Sequence, residues 1–164
     1  MAEVVVADAS PIIALARIEQ LTLLTRVFSR AIVPLSVYLE TQSRPELPDA
    51  QSIRTARERV LLHVHEHPIQ VVPGLPKELG DGEADAISLA VQINCGVFMD
   101  ERAGRTAARA LGVKTIGTVG VLSLARSKGF VAELKPLISK LQQSGYFLAN
   151  DLVESVLKSH GELP

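Results

Sequence analysis

The sequence predicts an α/β fold, a three-layer α/β/α sandwich with a mostly parallel sheet of about five strands. Short apolar runs typical of buried strands recur along the chain, and stretches with helical spacing separate them. The runs lie at residues 4–7, 31–34, 69–72, 97–99 and 113–116. With 164 residues, the chain is long enough for one such domain and short for two, so we expect a single domain over residues 1–164.

The first strand leads directly to an acidic residue, Asp8. Three valines precede it, and Ser10 followed by Pro11 is typical of a helix start with serine as the N-cap. Asp8 should therefore lie at the carboxyl end of a strand, which is the edge where open α/β sheets bind ligands. The alternative is that Asp8 only caps the helix or turns the chain.

Three helices are expected before residue 63. The first runs from residue 12 to residue 28 with a break near Glu19. The second, over residues 35–41, carries Glu40 near its end, and the third is a charged amphipathic helix over residues 49–62. Glu40 is a candidate for the same sheet edge as Asp8, with a surface glutamate as the alternative.

The histidines that follow, His63, His65 and His67, have the spacing of a metal site on a helix or on a strand. No convincing further ligands lie nearby in the sequence, which favours a solvated helix end that runs into Pro68. A third strand is then predicted at residues 69–72.

The second half of the chain repeats the arrangement of the first strand. Glu83 opens a helix over residues 83–93 that is apolar almost all round and therefore buried. The strand at residues 97–99 follows, with Asp100 at its carboxyl end, in the position that Asp8 has after the first strand. The remaining predicted helices cover residues 102–111, 119–127, 132–144 and 150–160, and those from about residue 132 should pack on the same domain.

The acidic residues should meet at one edge of the sheet, because parallel strands end at the same edge. Clustered carboxylates repel one another, so such a set is tolerated mainly when a divalent cation neutralises it. Oxygen ligands without cysteine or a convincing histidine favour Mg²⁺ or Mn²⁺ over Zn²⁺. The candidate acids are Asp8, Glu40, Glu83 and Asp100.

Composition excludes several classes of protein. Only 4% of residues are aromatic and tryptophan is absent, which counts against the aromatic platforms that hold single strands. Cys95 is the only cysteine, so an intrachain disulfide or a cysteine-based zinc site cannot form, and we expect Cys95 to be a small buried core residue. The glycine-rich nucleotide-binding motifs are absent. The first residues lack the basic region and apolar core of a signal peptide, and no run reaches eighteen apolar residues, so we expect a soluble cytoplasmic protein without a membrane segment.

Charge is nearly balanced overall, at −1, but it is unevenly distributed. Residues 78–101 contain six acids and no bases, whereas residues 102–128 contain six bases and no acids. Such a sequence suits a metal site beside a phosphate-binding rim, and it suits a dipolar surface without function equally well.

Four segments, taken in order, resemble the PIN-domain nucleases and, within them, the VapC-like toxins of toxin–antitoxin pairs, with the strongest resemblance to a poorly characterised PIN-like branch. They are VVADASPIIALARI, LGDGEADAISLA, MDERAGRTAARALGV and IGTVGVLSLARSKG, and the resemblance covers nearly the whole chain. It implies a Mg²⁺- or Mn²⁺-dependent ribonuclease that is a homodimer and is blocked by a small antitoxin. The residues it implicates are Asp8, Glu40, Asp100 and an acid near the start of the buried helix as the metal site, Ser10 as a support for Asp8 or for a metal-bound water, and Arg102 and Arg105 for substrate phosphate.

The acid on the buried helix is ambiguous between Glu83 and Asp85. Asp85 fits the local pattern of better-studied PIN enzymes, whereas the spacing from Asp100 favours Glu83. On a helix the two side chains lie about 200° apart, so at most one can point at the centre of the site. We favour Glu83, with Asp85 as a cap, an ion-pair partner or a more distant metal-site residue.

The predicted function is hydrolysis of RNA phosphodiesters by a metal-activated water, which leaves a 5′-phosphate and a 3′-hydroxyl. One alternative is a PIN-like module that binds RNA or protein without turnover. A second alternative is a phosphohydrolase for small molecules, although the phosphate-gripping motif that it requires is absent from the sequence.

Overall fold

The computed structural model describes residues 3–164 and contains five strands and nine helices within them. In chain order these are β1 (Val4–Ala7), α1 (Ala9–Arg17), α2 (Leu23–Val27), β2 (Arg30–Pro34), α3 (Leu35–Thr41), α4 (Pro48–Glu58), β3 (His63–His65), α5 (Asp81–Ile93), β4 (Gly96–Phe98), α6 (Arg102–Ala110), β5 (Thr115–Ile116), α7 (Thr118–Ser127), α8 (Lys135–Gln143) and α9 (Asn150–Ser159).

The five strands form one sheet in the order β3-β2-β1-β4-β5, and every neighbouring pair is parallel. The central strand is β1, in which Val5 pairs with Ala31 of β2 and with Gly96 of β4. The N–H of Asp8 donates to the carbonyl of Phe98 at 2.9 Å, so the pairing of β1 with β4 continues to the point where both strands end. The predicted mostly parallel, five-stranded sheet is confirmed.

Helices cover both faces of this sheet. Val5 and Ala7 of β1 face a core that includes residues of α1, α2, α4, α7, α8 and α9. Val6, between them, faces a second core formed largely with α5 and α6. The alternation follows from the two-residue period of a strand, and it explains why β1 is a continuous apolar run. The predicted α/β/α sandwich is confirmed.

The prediction of a strand at residues 69–72 is wrong. The third strand is instead His63–His65, which pairs with Ile32–Pro34 at the edge of the sheet. The segment over residues 69–72 has no strand structure, and it is held from outside the sheet where the Val72 N–H donates to Ser88 Oγ at 3.0 Å. Its apolar pattern resembled a strand, but the edge position beside β2 is already occupied.

The prediction that the histidines lie at the end of a helix is also wrong, because His63–His65 forms the strand β3. The preceding helix, α4, ends at Glu58, and Val60 takes a left-handed φ of 60° that turns the chain into β3. His63 and His65 are then two positions apart on a strand, and both are partly buried.

Two further details of the chain differ from expectation. Helix α1 begins at Ala9 with Asp8 as its N-cap residue, so Ser10 lies within the first turn and is exposed. Cys95 is only partly buried. The break near Glu19 is confirmed, because Glu19 has a φ of 58° and separates α1 from α2.

The longest helix, α5, has 13 residues. Within residues 3–164, no helix combines the length and the apolar character that a membrane span requires. The two C-terminal helices contribute to the core that also contains Val5, through Leu141 of α8 and Leu157 of α9.

Candidate functional site

Asp8 lies at the carboxyl edge of the sheet and is buried, with only 6% of the residue's surface exposed. Burial is the main cause that raises the pKa of Asp8 from its ordinary value of 3.8 to about 7. A backbone hydrogen bond from Ala9 opposes the rise, and the negative charges of Glu83, Glu40 and Glu101 add to it. Four acidic side chains therefore act on one another here, and Asp8 lies at their centre.

Glu83 reaches this cluster from the first turn of α5. One oxygen, Oε1, accepts a hydrogen bond from the N–H of Gly80, the N-cap residue, at 3.3 Å. The other oxygen, Oε2, is buried and has no hydrogen-bond partner in the described part of the chain. Burial raises the pKa of Glu83, and the charges of Glu101 and Glu40 raise it further. An unpartnered buried carboxylate oxygen is costly unless a proton or a cation satisfies it.

Glu40, at the end of α3, lies beside Asp8 because α5 approaches α3 closely at Gly82. A Cβ on Gly82 would stand 3.0 Å from Glu40 Oε2, 3.3 Å from Val37 Cγ2 and 3.9 Å from Asp8 Oδ1. Because Gly82 has no side chain, the carboxylates of Glu40 and Asp8 border the same small space. Glu40 itself is exposed, so it can move toward that volume or away from it.

Asp85 faces a different neighbour. Its Oδ2 accepts a hydrogen bond from Ser36 Oγ of α3 at 2.6 Å. The charges that raise the pKa of Asp8 come from Glu83 and other acids and do not include Asp85. The structure therefore places Glu83 next to Asp8 and gives Asp85 a contact between α3 and α5, as expected for side chains about 200° apart on one helix.

Asp100 follows β4 at the same sheet edge, but its oxygens are occupied. Thr118 donates to it twice, from its N–H at 2.7 Å and from its Oγ1 at 2.6 Å, and the Tyr146 hydroxyl donates to Oδ2. Burial raises the pKa of Asp100, while the Thr118 hydrogen bonds and the charge of Arg105 lower it. Asp100 is thus held by α7 and by the C-terminal region, next to the acidic cluster.

The two predicted phosphate-binding arginines occupy different positions on α6. Arg102 is exposed on the first turn, whereas Arg105 is partly buried, and burial lowers the pKa of its guanidinium. Arg105 and Asp100 both lie close to Gly117, at 2.6 and 2.9 Å from the position of a Cβ there. Ser10 lines the same pocket as Arg105 and Asp100.

Three residues of this edge were not identified as site residues from the sequence. Glu101 stands directly after Asp100, and its charge reaches both Asp8 and Glu83. Thr118 follows the neighbouring strand β5, so its position at a strand end was a usable signal. Tyr146 has no local signal, because 46 residues separate it from Asp100 in the chain.

Comparison with protein families agrees with this arrangement. A family model described as a PIN domain matches residues 4–162. The chain belongs to the PIN-domain family. No curated protein matches its sequence. PIN domains are generally nucleases, so a nucleic acid is the class of substrate that the family suggests, and they typically bind divalent metal ions.

The acids of this PIN domain suit a divalent metal ion by their chemistry. They are carboxylates, the donors that Mg²⁺ and Mn²⁺ prefer, and a cation would relieve both their repulsion and the unpartnered Glu83 Oε2. Within residues 3–164, no three His, Cys, Asp or Glu side chains are arranged as a ready set of metal ligands. Binding therefore requires side chains such as the exposed Glu40 to change position.

Proposed function

We propose that this PIN domain is a metal-dependent endoribonuclease with its active site at the carboxyl edge of β1 and β4. The observation that carries the proposal is the environment of Asp8. Its carboxylate is buried among Glu83, Glu40 and Glu101, and its pKa is raised to about 7. Four acids held close together repel one another, which lowers the stability of the fold. The same cluster becomes favourable when it binds a cation and, through it, a phosphodiester.

Asp8 and Glu83 are the residues that would hold the metal, with Glu40 and Glu101 completing its surroundings. Bound Mg²⁺ or Mn²⁺ would supply positive charge for the phosphoryl oxygens and lower the pKa of an attacking water. The acids would orient an attacking water in line with the scissile bond, and displacement of the 3′-oxygen from phosphorus would leave a 5′-phosphate and a 3′-hydroxyl. Asp85, which is bonded to Ser36, has a supporting role between helices.

Asp100, which follows β4, completes the site. Thr118 and Tyr146 fix the orientation of its carboxylate, which keeps negative charge near Arg105. Arg105 would bind substrate phosphate at the rim, and Ser10 would hydrogen-bond to Asp8 or to the water. Arg102, one turn earlier and exposed, would contact a more distant phosphate of the same RNA strand.

The test is RNA cleavage by purified protein with Mg²⁺, Mn²⁺ or EDTA, using structured and single-stranded RNA. We expect metal-dependent cleavage that is lost in Asp8→Asn, Asp100→Asn and Glu83→Gln. The matched control is Asp85→Asn, which lies on the same helix as Glu83 and should retain cleavage. Cleavage that persists in Asp8→Asn would contradict the proposed site.

We also propose that the ribonuclease is the toxin of a toxin–antitoxin pair, acting as a homodimer that a small antitoxin inhibits. The resemblance of the four sequence segments to VapC-like toxins supports this role. Induced expression of the wild-type chain should arrest growth of the host cell, and Asp8→Asn should not. Growth arrest by both proteins would indicate an effect unrelated to the nuclease site.

A binding module without turnover is the second candidate. The observation that favours it is Asp100, whose two oxygens already accept hydrogen bonds from Thr118 and Tyr146. On that alternative, RNA binds with the same affinity in the presence of Mn²⁺ and EDTA, and no product forms. Metal-dependent product formation that is lost in Asp100→Asn would exclude it.

A further inference from the structure

The carboxyl edge of the sheet opens into a pocket of about 570 Å³ with two kinds of wall. One wall is polar and comes from the proposed active site, with Asp100, Glu101 and Arg105. The other wall is the loop between α8 and α9, residues 144–149, which we call the α8–α9 loop, together with the start of α9.

The α8–α9 loop is fixed against the protein on both sides of Phe147. The N–H of Tyr146 donates to the carbonyl of Leu141 at 3.1 Å, and the Tyr146 hydroxyl donates to Asp100. Tyr146 and Leu148 are both packed against the hydrophobic core. Phe147, between them, therefore has its position set by its neighbours, although its own ring has little contact with the fold.

Phe147 is 87% exposed, which makes it the most exposed large apolar residue among residues 3–164. The other phenylalanines differ. Phe28 and Phe98 are buried, and Phe130 is 38% exposed with the Arg26 guanidinium 5.7 Å above its ring. A phenyl ring that is held in water contributes little to folding, so its position on the wall of the pocket indicates a ligand.

The polar wall indicates which ligand. Arg105 carries a positive charge into the pocket beside Asp100, whose negative charge acts on it, but it forms no direct ion pair with any residue in the described range 3–164. A flat ring, a guanidinium and the Ser10 hydroxyl around one pocket match the base, phosphate and sugar of a nucleotide. An apolar protein segment would instead remove Arg105, Asp100 and Glu101 from water without hydrogen-bonding to them, which is costly.

We propose that Phe147 is a stacking residue for one unpaired base of the RNA substrate, next to the nucleotide whose phosphate Arg105 binds. This inference rests on the proposed ribonuclease function and adds to it a requirement for an unpaired nucleotide at the pocket. A single stacking position agrees with the scarcity of aromatic residues in the chain, since a continuous stacking platform would need several.

The first experiment uses Phe147→Trp as a fluorescent reporter, because the chain contains no tryptophan. Single-stranded RNA is titrated into the variant, and an abasic strand of the same length is titrated in parallel. We expect saturable quenching by the RNA and none by the abasic strand. Phe130→Trp is the matched control, and its emission should stay unchanged because Phe130 lies outside the pocket.

The second experiment measures affinity and cleavage for Phe147→Ala and Phe147→Tyr. Loss of one stacking contact should weaken binding of single-stranded RNA by about 5- to 150-fold and raise KM with little change in kcat. Phe147→Tyr should retain wild-type affinity. Since Phe147 is almost fully exposed, the alanine variant should fold normally.

Each other outcome overturns the inference. If wild type binds RNA but Phe147→Ala binds it equally well, or if RNA does not quench the emission of the Phe147→Trp variant, the stacking proposal is wrong and the nuclease proposal stands. If wild type neither binds nor cleaves RNA, both are wrong. If the emission of the Phe147→Trp variant shifts with protein concentration in the absence of RNA, the ring belongs to a protein interface instead.

Discussion

Replacing Asp8 by asparagine should stabilise the metal-free protein, although Asp8 is the proposed centre of the active site. Asparagine has nearly the same shape, keeps an oxygen acceptor for the Ala9 N–H and carries no charge. In the wild-type protein, burial and the charges of three neighbouring acids raise the pKa of Asp8. The substitution therefore removes a charge that the folded state tolerates poorly.

The size and pH dependence of this effect follow from the pKa. A rise from 3.8 to about 7 corresponds to ~4 kcal/mol, since one pKa unit is worth about 1.4 kcal/mol. Because the folded pKa is raised, the folded state holds a proton that the unfolded chain has lost between these two values. The contribution of Asp8 to wild-type stability should thus fall as pH rises from about 4 to about 7, and the Asp8→Asn protein should lack this part of the loss, while the raised pKa values of Glu83 and Asp100 act in both proteins.

The assay is urea unfolding followed by circular dichroism at pH values from 4 to 8, with EDTA present. We expect similar free energies of unfolding for wild type and Asp8→Asn near pH 4 and a gap of up to ~4 kcal/mol in favour of the variant near pH 8. Asp151→Asn, at an exposed aspartate on α9, is the control and should stay close to wild type throughout. Parallel curves for wild type and Asp8→Asn would refute the reasoning.

Three further predictions concern the surroundings of Asp8. Thr118→Val removes one of the two hydrogen bonds that Thr118 donates to Asp100, and urea unfolding should show a loss of about 1–3 kcal/mol that Thr118→Ser largely avoids. Gly104→Ala adds a methyl group that meets the Met99 sulfur and lies 2.9 Å from Glu83 Oε2, so it should cost about 1–3 kcal/mol despite the higher helix propensity of alanine; an unchanged thermal midpoint would contradict this. Mn²⁺ should raise the thermal midpoint of wild type more than that of Glu83→Gln, and equal shifts would argue against Glu83 as a ligand.

Much of the fold was predictable because its strands are specified locally. Most of them are short, largely apolar runs that contain β-branched residues, and the order of strand, acid and helix repeats at Asp8 and Asp100. The third strand was not predictable in this way. Residues 69–72 and 63–65 both have strand-like patterns, and pairing with β2 selected His63–His65.

The chain by itself therefore determined the α/β class, the parallel sheet and the presence of acids at its carboxyl edge, since these depend on residue type and spacing. The tertiary structure decided which acids meet. It brought Glu83 and Glu101 to Asp8 and directed Asp85 to Ser36, because the packing of α5 against α3 sets the rotation of the helix. It also carried the α8–α9 loop to Asp100, a contact over 46 residues that no local pattern encodes.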